Sequence, residues 1–506
     1  MSYDAIIVGA GLGGLLAGAK LAKSGRRVLI LEKNPHIGGT SYIFRRGAYF
    51  FPMGPLSFSY PGRVKALLEE AGVEHGLEFR RNHFQLLTPH FDIVYSQPLA
   101  GLRDELRRLF PAEAAGIDRV FAELLDLVAL IRDIDRWHPD YALRPAGSPA
   151  GPVPSGGVSS RAELVRARSG ASSRDLLDPL IRDPHLKNLL GSMGTDPPRM
   201  SLLNLAFMWA AMSEIGIWSP SGGIHGICRM LAAAVGFGGG EIRLRSPVAR
   251  ILVENGRAAG VRTEDGMEIR APAVIVNADY KKTFLELLDP AHLPPAHLAA
   301  VREVPYTGSE LCVYLGVDPR RVDLGRMRAE HLFFRRCIDP AAEPDPLDFD
   351  NREIEVCRWS DNAPDCAPPG KAVLVLRAGL PYRLFEEWRT GEKLRKPGYR
   401  ETKDRAAWAL IRTVESALPG LAGAVEVLEA ATPLTYRDWG QRTDGSIAGW
   451  TWSAEAAARL PGKLLIETPV ERLYMAGLTA ATELFLGGVP TALQTASLAA
   501  DRVLGQ

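Results

Sequence analysis

The sequence predicts an α/β fold in which a parallel sheet, extended by a β-meander, is joined to a second, mixed α/β unit. Three observations predict it. An apolar N-terminal strand runs into Gly9-Ala10-Gly11-Leu12-Gly13-Gly14 and a helix. Residues 241–277 read as short strands cut by Asn255-Gly256 and Asp265-Gly266, both strong hairpin turns. Residues 461–506 then return to the pattern of the first unit, a buried strand followed by a helix with a small-residue face.

The N-terminal unit carries the most specific pattern. Tyr3 to Val8 is the strand, the helix ends at Ser24-Gly25, and Val28-Leu29-Ile30-Leu31 delivers Glu32, 18 residues after Gly14. This is the order of a Rossmann-like βαβ unit. Gly9 permits the tight turn, Gly11 lets backbone approach a pyrophosphate, and Gly14 allows close packing of helix on sheet. Gly13 stands beside them, and the helix N-terminus offers free N–H groups to phosphate. Glu32 can accept hydrogen bonds from an adenosine ribose, with Lys33 next to it. A second pair, Gly38-Gly39, then Thr40, follows closely. That is unexpected for a nicotinamide enzyme and resembles the flavoprotein pattern in which a backbone segment closes over an extended FAD.

Further on, Tyr49-Phe50-Phe51 is an aromatic strand broken by Pro52 and Gly54, with Pro55 stiffening the exit. Pro61 to Gly72 reads as an amphipathic helix, and 83–96 as strands suited to a pocket floor. Residues 102–137 are predicted helical. Ile117, Val120, Phe121, Leu124, Leu127, Val128 and Ile131 form a stripe that is either core or a surface dipping into a membrane. Pro139 to Asp175 turns to Pro, Gly, Ser and Ala with Arg161, Arg166, Arg168 and Arg174 interspersed. It is expected to be a long loop, as decoration, lid or lipid contact. Met200 to Trp218 is predicted to be one buried helix, interrupted by Asn204 and Glu214, and a second helix starts at Pro220-Ser221-Gly222-Gly223. Val274-Ile275-Val276-Asn277 and Leu473-Tyr474-Met475-Ala476-Gly477 are buried strands, and Gly488-Val489-Pro490 opens the last helix. The expected division is a cofactor domain from 1–82, 216–285 and 461–506, and a substrate domain from 83–215 and 286–460.

Bulk properties exclude several classes. Sixty Lys and Arg against 59 Asp and Glu leave a net charge of +1, without the basic excess that broad nucleic-acid binding needs. Five cysteines with no Cys-x-x-Cys and no metal-spaced histidine pair indicate neither a disulfide framework nor a metal site, and imply a reducing, cytoplasmic setting. The first strand begins within three residues, and no apolar run is long enough to span a bilayer.

Taken together, the blocks resemble the FAD-dependent phytoene desaturase, carotenoid isomerase and retinol saturase family of amine-oxidase-like flavoproteins. The resemblance covers 4–55, Pro220-Ser221-Gly222-Gly223, and the meander with Val248 at the adenine-contact position. It continues through Thr432-Pro433-Leu434-Thr435, Gly445-Ser446-Ile447-Ala448-Gly449 and Leu473 to Ala500. It implies FAD held by these blocks, including Asn277, Gly477, Gly488, Val489 and Pro490. It also implies hydride transfer at flavin N5 on a carbon–carbon bond of a hydrophobic isoprenoid or polyene. A long isoprenoid partitions into membrane, at about 0.8 kcal/mol per CH2, so peripheral contact with a bilayer is expected. Electrons are expected to pass to or from a quinone, oxygen or a separate reductase.

Departures are present: Thr40 stands where an Arg often follows the glycine pair, Pro52-Met53 where an acid is usual, and Leu478 to Leu486 is longer and more apolar than in the family. The catalytic candidates are Glu483, a carboxylate in an apolar segment, and Arg437 and Asp438; a solvent-facing carboxylate and a structural ion pair are the competing readings. Two alternatives differ in class: an amine-oxidase-like enzyme, and a prenyl-binding protein of the GDP dissociation inhibitor type that lacks FAD.

Overall fold

The chain, described by a computed structural model over residues 3–73, 76–95, 98–137, 168, 170–192, 200–337, 345, 347–451, 464–482 and 487–505, is built on two large sheets. The first is parallel, five strands in the order Leu473–Met475, Val274–Val276, Ala5–Val8, Val28–Leu31, Glu241–Arg243. Each of its three central strands is buried throughout, the continuous apolar pattern of a sheet covered on both faces. On one face pack the helices Leu12–Lys23, Gly223–Phe237 and Gly488–Leu504. Ala496, Ala499 and Ala500 are fully buried, so the last helix approaches the first closely. Lys20 ties the two together by an ion pair to Asp501 (2.8 Å) and a hydrogen bond to Ser497 Oγ (2.7 Å). The three-stranded meander Val248–Glu254, Arg257–Thr263, Glu268–Arg270 covers the other face. Asn255 and Gly256 take positive φ at its first turn, and Gly266 at its second.

The second sheet has seven strands in the order Val425–Ala431, Glu310–Val317, Ala372–Gly379, Ile354–Arg358, His331–Phe334, Phe84–Leu87, Asp92–Tyr95. It is antiparallel except where Phe84–Leu87 runs alongside His331–Phe334. Its two faces differ in chemistry. Leu311, Val313, Leu374, Leu376, Ile354, Val356 and Leu332 close one face against Ala406, Ala407, Leu410, Ile411 and Val414 of the helix Tyr399–Glu415. The opposite face carries Glu310, Arg377, Glu355, His331, Phe333 and Phe84, because side chains alternate along each strand.

Several boundaries differ from the sequence reading. The expected helix over 102–137 is two, Leu99–Leu109 and Ala114–Trp137, because Pro111 cannot continue the first. In its stripe Ile117, Val120, Phe121, Leu124, Leu127 and Val128 are buried in a core with Leu186, Leu190, Leu202 and Trp209. The membrane-facing alternative for these six does not hold; the side chain of Ile131 lies outside the described residues. Met200 to Trp218 is not one helix. Leu202–Ala210 is α-helical, Ala211–Ile215 widens to a π-turn, and Gly216 at φ +81° hands over to a strand, Ile217–Pro220, paired with Phe79–Asn82. Glu241–Arg243, read as part of the meander, is instead the edge of the parallel sheet. The Pro/Gly-rich stretch lies outside the described residues over 138–167; at its end Ser172 caps a short helix, Ser173–Leu177, and Arg168 pairs with Glu123 at 2.6 Å. Among the described residues no helix is long and apolar enough to cross a membrane.

Trp209 is the largest fully buried side chain among the described residues, 1% exposed, with Nε1–H donated to Leu190 O at 3.1 Å. Trp209→Ala is expected to lower unfolding free energy by about 3–5 kcal/mol in urea titration, from the lost burial and the cavity left.

Candidate active site

At the carboxyl ends of the parallel strands, backbone from two distant parts of the chain, the 9–14 turn and Gly477, converges on the side chain of Asn277. A Cβ on Gly11 would stand 2.9 Å from Asn277 Nδ2, one on Gly13 2.6 Å from Oδ1, and one on Gly477 would overlap Oδ1. A Cβ on Gly14 would collide with Gly9 O, which is why that helix can start so close under the turn. Gly9 itself takes φ +98°. The second glycine pair closes over this turn: Gly38 N–H donates to Ala10 O at 2.8 Å, with φ +102° at Gly38 and +55° at Gly39.

Glu32, 6% exposed, accepts from Ala10 N (2.7 Å) and Asn34 N (2.8 Å), so it fixes the cradle's backbone as well as facing the cavity. Burial raises its pKa, against the bonds it accepts from Asn34 and Ala10. Lys33 lines the rim and pairs with Glu392 at 2.6 Å. Burial, then neighbouring Lys33, lowers the pKa of Lys282 on the same rim.

One cavity of about 600 Å³ runs from this cradle to the charged face of the seven-stranded sheet. Among the sequence candidates Gly9, Gly11, Gly13, Glu32, Lys33, Gly38, Gly39, Thr40, Gly54, Pro55, Val248, Asn277, Gly488 and Val489 line it. Gly14, Gly477 and Pro490 lie behind the wall, where they set how closely the elements pack. The residues fit an extended dinucleotide. The turn admits no side chain, the helix N-terminus beneath it presents free N–H groups, and Asn34 Oδ1 is buried without a partner among the described residues.

The far half of the cavity is apolar, lined by Phe84, Phe333, Met200, Phe207, Met208, Met212 and Ile217. Into it projects a polar cluster that the sequence reading missed. Arg377 Nη2 donates to Glu310 Oε2 at 3.0 Å and Nη1 to Glu355 Oε2 at 3.2 Å. Tyr436 Oη donates to Glu310 Oε1 at 2.5 Å, and His331 Nδ1 meets Glu355 Oε1 at 2.9 Å. Burial opposes these charges, but Glu310 and Glu355 hold Arg377 charged well beyond the ordinary guanidinium range. Arg377 and His331 bring Glu355 down to about 2. Burial keeps Tyr436 protonated far above the usual phenol range. A lone Arg in Ala-Val-Leu-Val-Leu-Arg-Ala and a Glu opening Glu-Leu-Cys-Val-Tyr-Leu were the available signals, since a charge in an apolar strand must find a partner.

Arg442, also missed, anchors the 446–449 segment through Ser446 O (3.2 Å) and Ile447 O, and reaches Thr40 Oγ1 at 3.1 Å. The cation that Thr40 does not supply thus arrives from another element. Of the catalytic candidates, Asp438 is 1% exposed and clamped by Arg389 (2.9 Å) and Arg395 (2.7 Å), and neither it nor Arg437 lines the main cavity. Their place is a small charged recess beside Lys282. Glu483 lies outside the described residues. No group of His, Cys, Asp and Glu suited to a metal ion occurs among the described residues.

Two outcomes follow. Gly14→Ala is expected to yield protein with less than about a tenth of the wild-type flavin content by absorbance, whereas Gly226→Ala, whose new methyl has no atom nearer than 3.8 Å, keeps it. His331 is buried; burial opposes its charge, but Cys357 and Glu355 raise its pKa to about 10. A raised folded-state pKa means this stabilisation is full below pH 6.5 and fades as pH rises through 10. The stability gap between wild type and His331→Gln should therefore narrow from pH 6.5 to 10 in denaturant titrations.

Comparison with known proteins agrees with this geometry. The family profile "Flavin containing amine oxidoreductase" matches residues 12–504. An all-trans-retinol 13,14-reductase of Danio rerio is 26% identical, over 99% of this chain and 86% of that protein. A chloroplastic prolycopene isomerase of Daucus carota is 25% identical over 88% and 71%, and a zeta-carotene-forming phytoene desaturase of Myxococcus xanthus 26% over 86% and 81%. The wild-type putrescine oxidase structure with bound putrescine superposes with a TM-score of 0.65 at 17% identity, covering 100% of both chains, a likeness of fold. The chain belongs to the flavin-containing amine oxidoreductase family and is an FAD-dependent oxidoreductase.

Proposed function

We propose that this enzyme acts on carbon–carbon bonds of a hydrophobic isoprenoid or polyene, by desaturation, saturation or cis–trans isomerisation. The observation that carries the reading is that the glycine cradle and the apolar half-chamber are one continuous cavity. When bound, FAD supplies a two-electron hydride acceptor or donor. The chain's residues do the rest. Gly9, Gly11 and Gly38 would leave room for the pyrophosphate, Glu32 and Asn34 would accept from the ribose, and Val248 would meet the adenine. Thr40, Gly54, Pro55, Gly488 and Val489 would border the flavin ring, beside the 446–449 segment that Arg442 holds. Phe84, Phe333, Phe207 and the methionines exclude water and align an extended hydrocarbon by shape, because such a chain offers little to hydrogen-bond. Amine oxidation draws support from the family profile and from likeness of fold, and not from the relatives named above.

The cofactor domain in this reading is 1–82, 216–285 and 461–506, which together supply every strand of the parallel sheet. The substrate domain, 83–215 and 286–460, supplies the seven-stranded one. A helical cap over 83–215 that takes its substrate from a bilayer surface belongs to the same proposal, as do a quinone, oxygen or separate reductase as electron partner. The low water solubility of such substrates supports the former.

The test is anaerobic incubation of FAD-loaded protein, with the flavin oxidised in one series and reduced by dithionite in another, with phytoene, prolycopene and all-trans-retinol in liposomes, analysed by chromatography, with putrescine in parallel. Conversion of at least one polyene and none of the amine is expected. Oxidised putrescine with every polyene unchanged would overturn the reading.

A further inference from the structure

The charged cluster in the apolar half-chamber serves no purpose for a pure hydrocarbon. Stability alone does not call for it either, since buried ion pairs are commonly no better than apolar residues of similar volume. The opposite face of the same sheet is closed by an apolar core of aliphatic and aromatic side chains, Phe334 among them.

Adjacent strands set the cluster in register, Arg377 opposite Glu355 and Glu355 opposite Phe333, so the charges sit directly beside the aromatic wall. Arg377 keeps 23% of its side-chain surface open and Glu355 19%, and both line the cavity. Arg377 has five N–H groups. Its bonds employ Nε–H with Glu310, one on Nη2 with Glu310 and one on Nη1 with Glu355, which leaves two N–H groups without a partner among the described residues. Each Glu355 oxygen accepts one bond, from His331 or from Arg377, and has a lone pair to spare.

We propose that Arg377 and Glu355 form a subsite for a hydroxyl group, and that the substrate is an isoprenoid alcohol rather than a hydrocarbon. This rests on the isoprenoid reading given above. A hydroxyl matches the pair because it accepts from Arg377 N–H while donating to a Glu355 oxygen. A hydrocarbon covering the same spot strips water from two charges and returns nothing, which is unfavourable in an apolar chamber. A carboxylate is also disfavoured. The Arg377 charge is already met by two carboxylates, so a third brings an uncompensated negative charge into the cavity.

The test titrates FAD-loaded protein with three probes of one skeleton: all-trans-retinol, its hydrocarbon counterpart lacking the hydroxyl, and all-trans-retinoic acid. Binding is read from the change in the flavin absorbance. Wild type is expected to bind the alcohol more than about tenfold tighter than either other probe, the discrimination a site built for a hydroxyl can supply. Glu355→Gln, checked for flavin content and near-UV dichroism, is expected to weaken the alcohol and to tighten the acid by about fivefold or more, since one opposing charge is gone. A merely structural Glu355 would weaken all three probes alike. Should that variant fail to fold, the wild-type ranking decides alone. Hydrocarbon binding as tight as the alcohol, or the acid binding tightest, overturns the subsite and leaves the isoprenoid reading standing. Failure of all three probes and of phytoene to bind overturns both.

Discussion

The side chain of Asn277 is the point on which the cofactor end of the molecule depends. It stands at the end of a central parallel strand, and Gly11, Gly13 and Gly477 pack so closely around it that a Cβ on any of them would be crowded or overlap, while Gly9 packs equally closely on the Asn277 carbonyl. The usual account of a glycine-rich turn looks outward, to a phosphate that needs close approach to backbone. Here the same glycines also look inward. They let three segments distant in sequence meet around one amide, and that meeting draws the first and last helices together above the sheet. Glu32 extends the arrangement from the other side by accepting from Ala10 and Asn34, so the acid at the ribose position is also a brace for the turn.

The second sheet answers a different demand. A strand with one aliphatic face and one polar face ordinarily turns its polar face to water. In this chain the polar face is turned inward, onto a cavity, and carries charges that neutralise one another across neighbouring strands. Glu310, Arg377, Glu355 and His331 come from four strands, and each is held by the next. The apolar half-chamber beside them gives low polarity and water exclusion, and under those conditions fixed charges act strongly over short distances. The two sheets thus divide the work: one presents backbone to a cofactor, the other presents side chains to a substrate.

The parallel unit was legible in the sequence because its signals are local. Strand, glycine turn, helix and acid follow one another within 30 residues, and their spacing alone requires the geometry. The meander's two hairpins were legible for the same reason, through Asn255-Gly256 and Asp265-Gly266. What the sequence hid was non-local. Glu241–Arg243 looks like any short strand, and only pairing with Val28–Leu31 makes it the edge of the parallel sheet. The π-turn at Ala211–Ile215 follows from no periodicity, since Ala211, Met212 and Ile215 continue the apolar run of the helix before it. Arg377, Glu355 and Tyr436 are separated by up to about 80 residues, and their convergence depends on strand order. Arg437 and Asp438 drew attention as adjacent charges after a matched block, yet the helix Pro433–Asp438 turns Tyr436 into the cavity and Asp438 toward Arg389 and Arg395.

The account's central claim is that one cavity holds FAD at one end and an isoprenoid at the other. The most direct measurement is the visible spectrum of the purified protein, followed by mass analysis of what denaturation releases. A flavin band, FAD in the released fraction and a co-purified isoprenoid are the predicted result. A colourless protein that also takes up no added FAD would contradict it.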